Sequence, residues 1–473
     1  MTSVRVGLFG IGLDTYWSQF PGLRERLLGY QARIANGLTA AGAEVVDTGL
    51  VDSPEVARTA GDRLAAANVE VVFLFISTYA LSSTVLPMVQ RCGRPVIVLN
   101  LQPTAALDYE AFNRLGDRGA MTGDWLANCQ ACSLPEVACV FRRAGLPFRQ
   151  VTGWLDDPLA WQQIRHWLTA ARVRHGLRDL RLGALGNYYD GMLDVYTDLT
   201  AMSAVFGTHH AIIEMDEVVA TRQALEESAV QAMHARFATT FDLDPACRPE
   251  ELERAARTAA ALQQVVDRRR LGALAYYFEG QPGTAGQDVI TSLIPGATLL
   301  TANHIPCAGE YEIRNAHAMK ILDLAGAGGS FSELYLTDFT DDVVLLGHDG
   351  PGHAAIAQEQ IRLVPLPIYH GKPGSGLSIQ MQVRHGPVTL LSVVQGAQGK
   401  ISLLVAEAEA VPGPTLAIGN TNTRYRFAGG ARNFLAQWSA AGPAHHTAIG
   451  LGHHADWLAN LADLLGITIT RIA

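Results

Sequence analysis

Charge is scarce in this chain. Asp, Glu, Lys and Arg make up 17% of its 473 residues, below the roughly 25% of an ordinary soluble domain. No block of Lys or Arg stands out, and a nucleic-acid partner would need a basic patch, so none is expected. The net charge of -9 serves solubility. Long apolar runs are also lacking. None approaches the ~20 residues that a membrane helix needs, so no membrane association is expected. The opening MTSVRVGLFGIGLDTYW has one Arg, no long apolar core and no small-residue cleavage site. An export leader is therefore not expected, and the cytoplasm is the expected location. Cysteines number six and are scattered, which in such a chain implies reduced thiols. Cys129 and Cys132 form a C-x-x-C with Cys139 nearby, but no second pair of ligands joins them. There is no internal repeat and no low-complexity segment.

What remains is apolar. Hydrophobic residues make up 48% of the chain, a folded composition, and the length asks for two or three domains. The first third alternates strand and helix signals. Val4 to Phe9, Val71 to Ile76 and Pro95 to Leu99 are apolar runs, as strands buried on both faces should be. An amphipathic stretch from Arg24 to Ala41 lies between the first two. A second α/β pattern follows, with LRLGALGNYY (180–189) as a strand entering a loop. A long helix is expected over Pro249 to Arg270, then a strand at LGALAYYFEG (271–280) and a helix over 309–324. After AGAGGS (325–330) the texture changes. Helix signals nearly vanish until Ala455, and β-type runs replace them: FSELYLTDF, VVLLGH, LSIQMQV, PVTLLSVVQ and ISLLVAEAEAV. A last helix (456–465) and a strand, ITITRI, close the chain. The expected fold is α/β: two Rossmann-like parallel-sheet domains (1–172 and 173–325) followed by a C-terminal antiparallel β barrel-like domain (326–473).

Two glycine-rich segments carry little chemistry. Gly7, Gly10 and Gly12 follow a strand, but in the wrong order for a dinucleotide loop, and no acidic residue ends a clear second strand. They read as a tight strand-to-helix turn. GKPGSG (371–376) lacks the ending of a phosphate loop and reads as a connection between strands.

The informative region is 303 to 353. It holds His304, Glu310, Glu312, His317, Glu333, Asp338, His348, Asp349 and His353. Each alone has an ordinary explanation: a helix cap, a solvated strand acid, a satisfied core histidine. Their joint occurrence points to a metal site. Glu310 is expected to open a helix, where the dipole favours an ionised carboxylate. Glu333 sits in a period-2 stretch, sharing a face with Phe331 and Tyr335. His348 ends an apolar run. A further imidazole source, GPAHHTAIGLGHH (442–454), ends the β region.

The segments AGEYEIRNAHAMKIL, GGSFSELYLTDF, LLGHD and GPAHHT, in that order, resemble the L-arabinose isomerase family. VTGWLDD, YYFEG and PIYHGKPGSG resemble further segments of it, so the likeness covers most of the chain. The resemblance implies a metal-dependent aldose–ketose isomerase that works through an enediolate on a free monosaccharide. It implies metal ligands at Glu310, Glu333, His348 and His446, with Glu310 and Glu333 also as the acid/base pair. Two carboxylates and two imidazoles suit Mn²⁺, with Co²⁺ or Fe²⁺ as substitutes. The second His of the pair is the family's ligand, and strand alternation would turn His445 away. Phe278 matches an aromatic that packs on the sugar. The resemblance also implies a homotrimer or homohexamer, the first domain of a neighbour covering the site.

The match fails in the sugar-contacting segments. Gly12 stands where the family has a Gln, and Asn100 where it has a His, although Gln102 is kept. Tyr311-Glu312-Ile313 replaces Gly-Asp-Trp, and Asp349 replaces Met. Gly12, Asn100, Gln102, Phe278 and Asp349 are thus the candidate sugar-binding residues, and a sugar other than L-arabinose is expected. Two rivals stand beside this reading: a catalytically inactive metal- or sugar-binding relative, and a nucleotide-dependent oxidoreductase.

Overall fold

The computed structural model describes residues 3–369 and 374–472 and divides into two compact units, Met1–His175 and Gly176–Ala473. His370 to Pro373, part of the GKPGSG segment expected as a loop, lie outside the described residues.

The first unit is built on five parallel strands: β1 (Val4–Ile11), β2 (Ala43–Val51), β3 (Val72–Phe75), β4 (Val96–Gln102) and β5 (Phe148–Trp154). Their order is β2-β1-β3-β4-β5. All four residues of β3, Val-Phe-Leu-Phe, are buried. Both faces are covered by helices, among them Leu23–Ala40, Pro54–Ala66 and Ser82–Cys92. Pro54–Ala66 starts where local chemistry dictates: Ser53 accepts a bond from the Val56 N–H, and Pro54 takes the first helical position. Gly7 and Gly10 lie inside β1, not in a loop. A Cβ on Gly7 would stand 2.6 Å from Leu64 Cδ1, and one on Gly10 2.4 Å from Gln31 Oε1. Their task is close packing of helices on the strand, so the turn expected there begins only at Gly12.

The second unit combines two sheets with a small third one. Strands β6 (Arg181–Gly186) and β7 (His209–Ile213) open it, and the two-residue β8 (Asp242–Leu243) belongs to the small sheet. Strands β9 (Ala273–Tyr277) and β10 (Cys307–Ala308) complete a parallel sheet in the order β10-β9-β6-β7. Pro249–Arg269 packs on it with a stripe of Ala, Leu and Val. The chain then runs through β11 (Gly328–Asp338), β12 (Val343–His348), β13 (Arg362–Leu366) and β14 (Gly376–Gln380). It continues through β15 (Gly386–Gln395), β16 (Ile401–Val411), β17 (Thr421–Phe427), β18 (His446–Leu451) and β19 (Thr468–Ile472). Six of these, in the order β15-β18-β11-β12-β17-β16, form an antiparallel barrel that closes through the long β15–β16 hairpin. Closure leaves no free edge among the six. β19 adds to β16 in parallel.

The helix Ala431–Ala440 corrects the expectation that helix signals nearly vanish before Ala455. It buries only Ala431, Phe434 and Trp438, with Phe434 stacked 3.6 Å from Phe427. So narrow a stripe over ten residues gives a weak period. No helix among the described residues is long and apolar enough to cross a membrane.

Candidate active site

Open α/β sheets carry ligands at the carboxyl ends of their strands. In the second unit these ends emit three segments: Asn187 onward from β6, Phe278 from β9, and Gly309-Glu310 from β10. The first depends on Gly186, whose φ is +90° and whose Cβ would lie 1.9 Å from the Tyr277 carbonyl oxygen. That close approach lets the Asn187 N–H donate to the same oxygen at 3.0 Å.

Glu310 does not open a helix, as the sequence suggested. It and Tyr311 form a turn with φ of 53° and 57°, two successive left-handed residues that are not glycine. Such backbone costs ~1 kcal/mol or more per residue and persists only where the surroundings hold it. Here the Tyr311 N–H donates to the Tyr276 carbonyl and the Glu312 N–H to that of Gly309, each at 3.0 Å. The Tyr311 ring packs edge-on against Tyr188 with centroids 4.7 Å apart. Glu312 is the residue that precedes the helix Ile313–Leu324.

The barrel supplies the other donors from three adjacent strands. Glu333 on β11 lies opposite His446 on β18 and Gly347 on β12. A Cβ on Gly347 would stand 1.7 Å from the Thr421 carbonyl oxygen, so only glycine lets β12 close on β17 here. The next residue, His348, is fixed by its backbone: its N–H donates to Thr421 Oγ1 at 2.8 Å. The Phe331 ring lies beneath both imidazoles, 4.4 Å from His348 and 4.5 Å from His446.

These side chains converge. Glu310 Oε1 is 3.8 Å from His348 Nε2, and its Oε2 is 3.4 Å from His446 Nε2. Glu310, His348 and His446 offer ligand atoms within 4.8 Å of one another, and so do Glu333, His445 and His446. The four expected ligands therefore fall into two groups sharing His446. His445 does not turn away. It precedes β18, so strand alternation does not govern it, and its Nε2 lies 3.3 Å from Glu310 Oε2. Its Nδ1 meets Asp194 Oδ2 at 2.6 Å, an acid that the sequence reading missed. Asp194 sits on the single turn Leu193–Val195, inside the loop glimpsed only as the end of LRLGALGNYY.

Burial opposes ionisation of Glu310, but a hydrogen bond with His445 and the adjacent His446 imidazole hold its carboxyl far below the usual range. Burial pushes Glu333 upward. Burial, helped by the neighbouring His446, lowers His348 to about 3, so its ring is neutral as a metal ligand must be. Glu312 is fully buried beneath His446, with Oε2 3.8 Å from Nδ1. Both Glu312 oxygens, both His446 ring nitrogens and His348 Nδ1 are buried without a hydrogen-bond partner among the described residues. Buried polar atoms are normally paired. Carboxylate oxygens and imidazole nitrogens gathered in this way fit a divalent cation. Glu312 behind His446 stands where an outer carboxylate orients a metal-binding imidazole.

A cavity of about 380 Å³ opens over the cluster, lined there by Glu310, Glu333, His348 and Asp349. Its other walls carry Tyr189, Tyr277, Tyr335 and Tyr369 with aliphatic side chains. Phe278 is not among the lining residues. It packs against the core of the parallel sheet, its ring over Gly286. The candidates of the first unit lie at the carboxyl ends of its strands. Gly12 follows β1, and the room beside it is filled: a Cβ there would stand 2.7 Å from Trp17 Cζ2. Asn100 is buried, donating to Thr152 Oγ1 at 3.5 Å. Gln102 is exposed and donates to the Thr104 carbonyl.

Residues 328–468 match the family model for the L-arabinose isomerase C-terminal domain. An L-arabinose isomerase of Nocardioides sp. (strain ATCC BAA-499 / JS614) is 21% identical over 443 residues, 89% of this chain and 84% of that protein. One from Shewanella sp. (strain MR-4) is 23% identical over 432 residues, 85% and 80% of the respective chains. A solved solute-binding protein from Actinobacillus succinogenes 130z with bound D-allose covers 65% of this chain at 11% identity. Its TM-score of 0.18 carries no argument. The matched domain holds three of the four expected ligands, and the relatives extend the likeness to L-arabinose isomerases across both units.

Proposed function

We propose that this protein is a metal-dependent aldose–ketose isomerase whose sugar is not L-arabinose. The observation that carries the reading is the convergence of Glu310, His348 and His446, beside Glu333, at one end of a sugar-sized cavity. These four residues would hold a divalent cation, which we take to be Mn²⁺. When bound, such an ion supplies Lewis acidity at the two sugar oxygens on C1 and C2. The chain's own residues do the rest. Glu310 and Glu333 take a proton from one of the two carbons and return it to the other, while a second proton passes between O2 and O1, so one C–H and one O–H bond break and one of each forms, with no oxidant. Phe331 keeps water from the undersides of the imidazoles. Glu312 and Asp194 hold His446 and His445 in orientation. In a trimer or hexamer, Asn100 and Gln102 of a neighbour's first unit would border the sugar.

The departure from L-arabinose rests on the cavity wall. Asp349 adds a carboxylate to the cavity lining, and Tyr189, Tyr277, Tyr335 and Tyr369 add phenols to it. Hydroxyls of another configuration or number meet such donors and acceptors. The test is a panel of pentoses, hexoses and deoxysugars with saturating Mn²⁺, reading ketose formation and exchange of the C2 proton with D₂O. Turnover of at least one aldose, with L-arabinose not in the lead, is expected. Metal binding without exchange from any sugar would make this an inactive relative. L-arabinose leading by about tenfold or more would overturn the specificity.

A further inference from the structure

At Asn420 the cavity wall begins a chain of bonded amides. Resting on the isomerase reading above, we propose that Asn420 is a positioning residue that makes Tyr335 a one-way hydrogen-bond donor to a substrate hydroxyl other than those on C1 and C2.

Two observations converge on Tyr335. The first is backbone. The β11–β12 register pairs Leu334 with Leu346 and Leu336 with Leu345, so Tyr335 is an extra residue without a partner on β12. Such a bulge bends its strand and re-aims its side chains. In consequence Glu333, Leu334, Tyr335 and Leu336 all line the cavity, which strict alternation along β11 would not allow.

The second is the amide chain, whose direction is fixed at its far end. The Leu416 N–H donates to Asn422 Oδ1 at 2.9 Å, and Asn422 Nδ2 donates back to the Leu416 carbonyl at 3.0 Å. A backbone N–H can only donate and a carbonyl can only accept, so this pair settles which way the Asn422 amide faces. The second Asn422 Nδ2 hydrogen reaches Asn420 Oδ1 at 3.0 Å. The Asn420 oxygen thereby accepts, and its nitrogen is left to face Tyr335, donating to the phenol oxygen at 2.7 Å. Asn420 and Asn422 are 2% and 3% exposed, so water does not compete for these bonds. With its oxygen occupied as an acceptor, Tyr335 must direct its own proton elsewhere, and the open space beside it is the cavity. The ligand chemistry is then a hydroxyl oxygen of a polyhydroxylated chain at one distal carbon. A sugar lacking that hydroxyl leaves a buried donor unpaired.

The experiment compares the full-length, Mn²⁺-loaded parent with Tyr335→Phe and Asn420→Asp across an aldose and its single-position deoxy analogues. Asn420→Asp keeps the shape but replaces the donor with an acceptor, which turns the Tyr335 proton back toward residue 420. In the parent, one deoxy analogue should lose about 30-fold or more in kcat/KM, carried mostly by KM. In both variants that gap should shrink to less than about threefold, and the double variant should be no worse than Tyr335→Phe alone. A gap that persists in Asn420→Asp, or additive losses in the double variant, would overturn the proposal. Should the parent turn over no aldose, the isomerase reading falls. The same comparison is then made by calorimetry with the matching polyols and deoxypolyols, where the same pattern sustains Asn420 in its role. A parent that binds neither aldose nor polyol overturns both.

Discussion

Among the acids and imidazoles, both His446 nitrogens and both Glu312 oxygens are buried with no hydrogen bond among the described residues and only longer ion-pair contacts. Beside Tyr335, the amide oxygens and nitrogens of Asn420 and Asn422 are all bonded, in an order traceable to one backbone unit. On the proposed reading, a cation completes the first arrangement, while the second is complete beforehand and needs only a matching hydroxyl. The first would then set which reaction is possible, since every aldose has O1 and O2, and the second would decide among sugars.

The strongest way to break this division is to remove a carboxylate from the first arrangement. Glu310→Gln or Glu333→Gln should lower kcat by about 10³-fold or more and weaken Mn²⁺ binding, because each deletes a charged ligand and a proton carrier together. Steady-state kinetics and metal calorimetry read both, and parent-like turnover in both variants would falsify the site. His446→Ala should cost about 10²-fold in metal affinity, and His445→Ala clearly less, since His446 is buried and shared by both groups of donors whereas His445 is partly exposed and belongs to one. The reverse ranking by calorimetry would exchange their roles.

A third substitution tests the scaffold that both arrangements share. Gly347→Ala drives a methyl into the Thr421 carbonyl and should destabilise by ~3 kcal/mol or more in denaturant unfolding. A change within ~0.5 kcal/mol, the range of ordinary surface substitutions, would mean that β12 and β17 do not close as described. The smallest effect is a pH slope. Burial lowers His210 and His353 to about 4 and His317 to about 3. Below the ordinary histidine value the unfolded chain then binds more protons than the folded one, so stability falls as pH drops from about 6.5 toward 4. His210→Gln should flatten part of that slope in thermal scans. An unchanged slope would show that other groups control it.

The parts of the fold that were legible in the sequence share a physical cause. Strands buried on both faces, such as β3 and β4, print continuous apolar runs, and Pro249–Arg269 prints a long Ala-rich period. β17 printed nothing of the kind. It reads Thr-Asn-Thr-Arg-Tyr-Arg-Phe, and its buried Asn422 and Arg424 satisfy themselves through amide, carbonyl and carboxylate partners. Hydrophobic periodicity is blind to a strand stabilised that way. The acids and imidazoles were legible because they recur in segments of fixed order. Asp194, Tyr189 and Asn420 were not, because they come from loops whose placement depends on contacts distant in sequence. The extra residue at Tyr335 was also hidden, since a bulge is defined by the partner strand.

If Glu310 holds the proposed ion, its left-handed turn with Tyr311 bears on metal exchange. A ligand on a floppy loop must be ordered by the ion it binds, and part of the binding free energy is then consumed in that ordering. Here the turn is already clamped by the Tyr276 and Gly309 carbonyls and by Tyr188. The geometry is set when the chain folds, so ions of similar size meet the same preformed donors. Their relative affinities should then follow the intrinsic preference of carboxylate and imidazole, rising from Mn²⁺ to Co²⁺. Tyr311→Gly, which frees the turn, should lower the affinity for both ions by a similar factor while leaving their ratio intact.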